Sequence, residues 1–125
     1  MIAEFAIAAA IATAYAGKPT TVTCYQFGRN DPTLGDSIPG GTEARLSDRV
    51  CRALRRPAHT PAFTEAVLVT IHEALHMRGD TNEDRVECKA TRLVPDALAR
   101  FFHQRNLPSW RAHIRAVSLR PDCVS

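Results

Sequence analysis

The segment from residue 61 to residue 79, PAFTEAVLVTIHEALHMRG, constrains the fold of this chain more than any other. Pro61 suits the first turn of a helix, with Thr60 or Thr64 as its cap, and Gly79 suits a left-handed residue after the last turn. Apolar side chains recur every three or four residues, which is the period of an amphipathic helix: Val67, Leu68, Ile71 and Leu75. The segment therefore predicts one long helix that ends at a sharp reversal.

This helix carries two histidines and a glutamate. His72 and His76 are four residues apart and therefore share a face, so that their imidazoles can bind one metal ion. Glu73 lies about 100° further round the helix, where its carboxylate can act as a general base on a water at that ion. The spacing is that of the HExxH zinc signature, and it predicts Zn²⁺ as cofactor. The alternative is that both histidines are ordinary core or surface residues without a metal.

A third ligand is needed because catalytic zinc usually has three protein ligands and one open position. After Gly79 a second helix can run back past the metal and bring four acidic side chains near it: Asp80, Glu83, Asp84 and Glu87. Glu83 and Glu87 share a face, so one can bind zinc while the other accepts a hydrogen bond from a ligand histidine. We predict Glu83 as the ligand, with Glu87 as its support or as the alternative ligand.

These residues carry a family resemblance. HEALH followed by NEDRVE resembles the gluzincin metallopeptidases, in which a glutamate on the next helix completes HExxH, and by this likeness Glu83 matches the ligand and Glu87 the supporting acid. Six residues separate His76 from Glu83, fewer than in typical members. HEALHMRGDTN also looks like the metzincin pattern HExxHxxGxxH, with Gly79 at the turn and Asn82 where the third histidine stands.

Over most of residues 20 to 125 the chain is also similar to small HExxH proteins of actinobacteria and their phages. They share the patterns V-x-C, V-C-x-x-L and E-C-x-A, matched here at 22–24, 50–54 and 87–90. A further similarity, at 90–95, is to intracellular proteases that cleave phage repressors. These resemblances imply a zinc metallopeptidase acting on a protein or peptide. A metal-stabilised binding module without turnover is the remaining alternative.

The implied mechanism is peptide-bond hydrolysis, in which zinc acidifies a water and Glu73 takes its proton and passes it to the leaving amine. A donor that stabilises the oxyanion is also expected. The sequence offers four candidates without choosing among them: His103, His113, Tyr25 and Arg85.

Residues 1–16, MIAEFAIAAAIATAYA, are apolar apart from Glu4 and end in a small-x-small pattern like a signal-peptidase site. They are an export signal or a buried N-terminal helix, and they are too short for a bilayer span, which takes about 20 apolar residues. Residues 17–125 are expected to form a single domain. Export would place the protein outside the cell or at its envelope, and a cytoplasmic location is the alternative.

Four cysteines stand without a CxxC pair, which argues against a zinc ribbon: Cys24, Cys51, Cys88 and Cys123. In an exported protein they would form two disulfides, with three pairings possible. In a cytosolic protein they would be buried free thiols.

The rest of the chain predicts an α+β fold that is mostly helical, with a small sheet near the N-terminus. A strand is expected at 20–27, a loop at 28–42, and a short extended piece at 44–46 that pairs with the strand. Ser47 should cap a short helix, and further helices are expected at 82–94, at 95–106 from Pro95, and at 109–119. Phe101, Phe102 and Trp110 are expected in the core.

Composition argues against a disordered chain, a membrane bundle and a nucleic-acid-binding protein. Hydrophobic residues at 45% and charged residues at 23% are ordinary for a globular protein, and 125 residues suffice for one domain. A net charge of +3 is too small an excess to predict nucleic-acid binding. The arginines that follow Ser47 are expected to form a solvated face: Arg49, Arg52, Arg55 and Arg56.

Overall fold

The computed structural model describes residues 5–105 and 107–124. This part of the chain forms five α-helices, a three-stranded sheet and a final 3-10 helix, which confirms the mostly helical α+β fold. In chain order the elements are α1 (Ala6–Ala16), β1 (Thr21–Tyr25), β2 (Gly35–Ser37), β3 (Glu43–Ser47), α2 (Asp48–Arg55), α3 (Pro61–Met77), α4 (Glu83–Phe102), α5 (Leu107–Val117) and the 3-10 helix Pro121–Cys123.

Helix α3 lies at the centre of the molecule and contacts the other four helices. Thr60 caps it by accepting a hydrogen bond from the backbone N–H of Phe63, and Pro61 occupies the first turn. Gly79 follows its end with a positive φ of 118°. The predicted start and reversal are therefore confirmed. Twelve of the 17 residues of α3 are buried, because neighbours cover it on several sides.

The sheet has the order β1-β3-β2, with β3 parallel to β1 and antiparallel to β2. The predicted pairing of 44–46 with the first strand is confirmed, whereas the prediction that 28–42 is entirely loop is wrong at β2. Gly35 lets this short strand lie close to α3, since a Cβ there would be 3.1 Å from Val69 Cγ1 and 3.2 Å from the Arg45 carbonyl oxygen. Packing between the strand and α3, rather than strand propensity, explains β2.

Helix α4 continues through Pro95, so the prediction of two helices divided at this proline is wrong. Proline cannot donate a hydrogen bond to the preceding turn, and in a helix interior it costs about 3 kcal/mol. Val94, Ala97 and Leu98 are fully buried on both sides of Pro95. Burial of these side chains by one continuous helix offsets the lost hydrogen bond.

Helix α1 packs into the hydrophobic core. Ala8, Ile11 and Ala12 are almost completely buried, and the hydroxyl of Tyr15 donates a hydrogen bond of 2.6 Å to Asp96 Oδ2 on α4. Residues 1–4 of the apolar N-terminal segment lie outside the described residues. Within the described ranges, no helix is both long enough and apolar enough to cross a lipid bilayer.

All four cysteines are paired, which confirms the predicted disulfides and selects one of the three pairings. Cys24–Cys51 joins β1 to α2, and Cys88–Cys123 joins α4 to the 3-10 helix. The two bonds span 27 and 35 residues, and each is expected to contribute about 3.5 kcal/mol by restricting the unfolded chain.

The aromatic residues expected in the core and the arginines expected at the surface lie largely where they were predicted. Trp110 is buried, and Phe101 and Phe102 are half-buried against the core. The arginines of α2 and of the residue that follows it form the expected solvated face, with all four exposed: Arg49, Arg52, Arg55 and Arg56.

Candidate metal centre

One face of α3 carries His72 and His76, one helical turn apart. Their ring centroids are 4.8 Å apart and their Nε2 atoms are 3.1 Å apart. The reversal at Gly79 brings the chain back to the same place, and the side chain of Asn82 caps α4 by accepting a hydrogen bond from the N–H of Arg85. The first residue of α4, Glu83, therefore begins its helix beside the two imidazoles.

Glu83 completes a group of three potential metal ligands. Its Oε1 lies 2.7 Å from Nε2 of His76, and its Oε2 lies 3.2 Å from Nε2 of His72. One ligand atom from each of the three residues lies within 4.8 Å of the others, so the group could hold a metal ion. The two imidazoles are largely buried, whereas the Glu83 side chain is 74% exposed. The group is therefore open to solvent on the side of Glu83.

Hydrogen bonds at the far side of each ring determine the tautomers. Nδ1 of His72 lies 2.9 Å from Oε1 of Glu87, and Nδ1 of His76 lies 2.7 Å from the carbonyl oxygen of Asp80. A carboxylate and a carbonyl oxygen only accept hydrogen bonds, so we assign the proton of each neutral ring to Nδ1. Both Nε2 atoms then present lone pairs to each other and to the carboxylate of Glu83.

This donor set fits a bound cation. Three lone-pair groups that converge without a hydrogen between them repel one another, and a metal ion at their centre removes this repulsion. Two nitrogens bound at 2.0–2.1 Å to a tetrahedral ion lie about 3.3 Å apart, close to the 3.1 Å between the Nε2 atoms. Imidazole and carboxylate together suit zinc and several other divalent transition metals.

Glu73 lies beside this group and is held from a different part of the chain. Its buried carboxylate accepts a hydrogen bond of 2.7 Å at Oε1 from the hydroxyl of Ser37, on β2. Burial raises the pKa of Glu73, and the hydrogen bond from Ser37 and the electrostatic interaction with His72 partly oppose this shift. Sequence reasoning missed Ser37, because it lies in a segment with no local sign of function and meets Glu73 only through tertiary packing.

The carboxylate of Glu87 is held on both of its oxygens. Oε1 accepts a hydrogen bond of 2.9 Å from Nδ1 of His72, while Oε2 accepts a hydrogen bond of 2.8 Å from the N–H of Leu119. Burial by itself would raise the pKa of Glu87, but the hydrogen bonds from His72 and Leu119 lower it overall. Burial would likewise lower the pKa of His72, and the hydrogen bond with Glu87 and the neighbouring carboxylates raise it overall. Glu87 is therefore favoured in its ionised form, and this carboxylate accepts the hydrogen bond from Nδ1 of His72.

Two recesses open at the metal-ligand group. One, of about 370 Å³, lies beside β2 and is polar, with Asp36, Ser37 and Thr81 in its wall. The other, of about 320 Å³, is bounded by apolar side chains that include Leu34, Val69 and Val117. His72, Glu73 and Glu83 line both recesses. A ligand could therefore approach the group along either side.

Other residues singled out from the sequence have different partners. The Asp80 carboxylate accepts hydrogen bonds from the guanidinium of Arg85, which places both side chains in a surface ion pair. Tyr25 packs against Phe27 and Arg45.

The two histidines that the sequence offered as oxyanion donors lie elsewhere in the fold. His113 packs against His59 and Trp110, and His103 ends α4 with a φ of 56°. Neither residue, nor Tyr25 or Arg85, lines the two recesses described above. The donor expected for an oxyanion is therefore not assigned to any of the four.

Comparison of the chain with protein-family models, with curated proteins and with solved structures gave no match.

Proposed function

We propose that this protein is a zinc-dependent metallopeptidase of the HExxH type, which hydrolyses peptide bonds in a protein or peptide substrate. One arrangement carries the proposal. The Nε2 lone pairs of His72 and His76 and the carboxylate of Glu83 converge in an open cleft, and the buried carboxylate of Glu73 lies next to them.

His72, His76 and Glu83 would hold the ion. Two imidazoles and one carboxylate with an open side are the ligand set of many catalytic zinc sites. Glu87 and the carbonyl oxygen of Asp80 orient the two imidazoles through their Nδ1 atoms, as carboxylate and backbone partners do for metal-bound histidines generally. The chemistry that a bound zinc ion supplies is Lewis acidity, which polarises a carbonyl group and makes water a nucleophile near neutral pH.

Glu73 is the general base in this proposal. Its Oε1 accepts the hydrogen bond from Ser37, so we assign proton transfer to Oε2. This oxygen takes a proton from the attacking water and releases it to the nitrogen of the leaving amine. Burial supports the role because it raises the pKa of Glu73 towards the working pH, where a carboxyl group can both take up and release a proton.

The two disulfides support an exported peptidase over the alternative of an intracellular regulatory protease. Disulfides form and persist in oxidising compartments and are rare in the cytosol. Their presence at Cys24–Cys51 and Cys88–Cys123 agrees with a location outside the cytoplasm.

The Glu73→Gln variant tests the proposal. Glutamine keeps the size of the side chain but cannot take up a proton, so we expect zinc stoichiometry to be unchanged and kcat/KM on a fluorescent casein substrate to fall by at least about 100-fold. Glu43→Gln, an exposed carboxylate on β3, is the matched control and should keep full activity. Activity that survives Glu73→Gln contradicts the assigned mechanism. Zinc binding without any cleavage by the wild type favours a metal-stabilised module.

A further inference from the structure

The carboxylate of Glu87 connects the metal-ligand group to the C-terminal end of the chain. One oxygen meets Nδ1 of His72 at 2.9 Å, and the other accepts the N–H of Leu119 at 2.8 Å. Leu119 belongs to the stretch that leaves α5 after Val117, here called the C-terminal segment, residues 118–123. The hydrogen bonds of Glu87 therefore link the His72 imidazole to the C-terminal segment.

Ser118 fastens the beginning of the C-terminal segment. Its buried hydroxyl oxygen lies 2.6 Å from Oγ1 of Thr91 on α4 and accepts a hydrogen bond of 2.9 Å from the N–H of Arg120. Thr91 is one helical turn beyond Glu87 and donates to the Glu87 carbonyl oxygen. The Ser118 hydroxyl also lies 3.4 Å from Oε2 of Glu87, so Ser118 is a positioning residue that contacts Glu87 directly and also holds the adjacent Leu119 in place.

The Cys88–Cys123 disulfide fastens the other end of the same segment. Cys88 directly follows Glu87 on α4, and Cys123 is buried in the 3-10 helix. Between Ser118 and Cys123, apolar packing contributes little to holding the segment against α4, because the Leu119 side chain is 82% exposed. The ion pair of Arg120 with Asp122 lies within the segment and does not tie it to α4. The disulfide is therefore the strongest attachment of the segment beside Glu87.

We propose that the Cys88–Cys123 disulfide and Ser118 position His72 for metal binding, by holding the backbone N–H of Leu119 against Glu87. The inference rests on the metal site of the proposed function and extends it to a part of the chain that contributes no ligand. It predicts that metal affinity depends on this disulfide and is independent of the other one.

Cys24–Cys51 offers a matched control. It spans 27 residues against 35, so its loss removes a similar constraint on the unfolded chain. It joins β1 to α2, and neither element supplies a residue of the metal-ligand group or its hydrogen-bonded supports.

The experiment compares the double variants C88S/C123S and C24S/C51S with the wild type. Circular dichroism first verifies that each protein is folded at the temperature of measurement. Zinc dissociation constants come from competition with a chromophoric chelator, and Co²⁺ absorption spectra report ligand geometry. We expect zinc binding about 10- to 100-fold weaker and an altered Co²⁺ spectrum in C88S/C123S, as for loss of a ligand's hydrogen-bond partner. C24S/C51S should match the wild type.

Metal-free protein supplies a second measurement, the NMR signal of the His72 Nδ1–H proton. It should be protected from solvent exchange in the wild type and in C24S/C51S, and lost in C88S/C123S. If C88S/C123S does not fold, Ser118→Ala replaces it, with rescue of zinc affinity by Ser118→Thr expected because threonine restores the hydroxyl.

Three results would overturn the inference: equal zinc affinity in C88S/C123S and the wild type, equal weakening in both double variants, or an unchanged His72 Nδ1–H signal in C88S/C123S. When Ser118→Ala is used instead, unchanged zinc affinity or a failure of Ser118→Thr to rescue it has the same meaning. Zinc binding without peptide cleavage contradicts the proposed function alone, whereas a wild type with no zinc affinity contradicts both.

Discussion

The hydroxyl of Ser37 lies 2.7 Å from Oε1 of Glu73 and links β2 to α3 across 36 residues of sequence. Ser37 also lies within 3.2 Å of the Glu73 carbonyl oxygen, so β2 is held against the turn of α3 that carries the proposed base. The short strand thereby has a direct part in the site, which neither its length nor its composition indicates.

Replacement of Ser37 by alanine should reduce catalysis without removing the metal ligands. The buried carboxylate of Glu73 loses its hydrogen-bond donor and with it a fixed orientation. We expect kcat/KM to fall by about 10-fold at unchanged zinc stoichiometry, and Ser37→Thr, which keeps the hydroxyl, to restore most of the activity. Equal activity of the alanine variant and the wild type would show that the contact is dispensable.

The two glutamates of α4 should respond differently to substitution. Loss of a hydrogen-bonded support typically weakens metal binding by about 10- to 100-fold. Glu87→Gln should fall in that range, because its one side-chain oxygen cannot accept from both His72 and Leu119, and Glu83→Ala, which removes a ligand, should exceed it. Zinc dissociation constants measured by chelator competition give both values, and Asp84→Ala serves as an exposed neighbouring control. A larger loss in Glu87→Gln than in Glu83→Ala would reverse the two roles.

Gly35→Ala should destabilise the protein and impair the site at the same time. The new Cβ would lie 3.1 Å from Val69 Cγ1 and 3.2 Å from the carbonyl oxygen of Arg45, so β2 must shift away from α3. Overpacking of this kind costs about 1–3 kcal/mol, to be measured by urea unfolding.

Gly28→Ala is the control for this change, because its Cβ would meet only Asp31 Cβ, at 3.9 Å. Its free energy of unfolding should stay within about 0.5 kcal/mol of the wild type. If both variants are equally stable, β2 does not need the close approach that Gly35 permits.

The contribution of Tyr15 to the stability of the protein should fall at alkaline pH. Burial, followed by the hydrogen bond to Asp96, raises the pKa of Tyr15 far above its ordinary value. The folded state therefore keeps this proton to a higher pH than the unfolded chain, in which tyrosine has a pKa of about 10. The stability contributed by the group is fully present below pH 10 and is lost as the pH rises above it.

Urea unfolding at pH 8 and pH 11 measures this effect. The Tyr15 contribution to the free energy of unfolding should be about 1 kcal/mol smaller at the higher pH, and Tyr15→Phe should remove that part of the pH dependence. An identical pH dependence in the two proteins would show that the Tyr15 hydroxyl is not coupled to folding.

The sequence by itself determined the features that follow from helical periodicity and capping. His72 and His76 share a face because they are four residues apart, and Glu83 and Glu87 share a face for the same reason. Thr60 and Gly79 mark the ends of the α3 region through local backbone preferences. Such features depend on residues within one or two turns, so they can be derived without knowledge of the fold.

Only the tertiary structure decided which distant segments complete the site. It brought Ser37 to Glu73 and Leu119 to Glu87, and it selected Cys88–Cys123 as one of the disulfides. It also carried α4 through Pro95, against the local preference of proline. These outcomes depend on how apolar faces bury against one another across the chain, and burial of a whole helix outweighs the preference of a single residue.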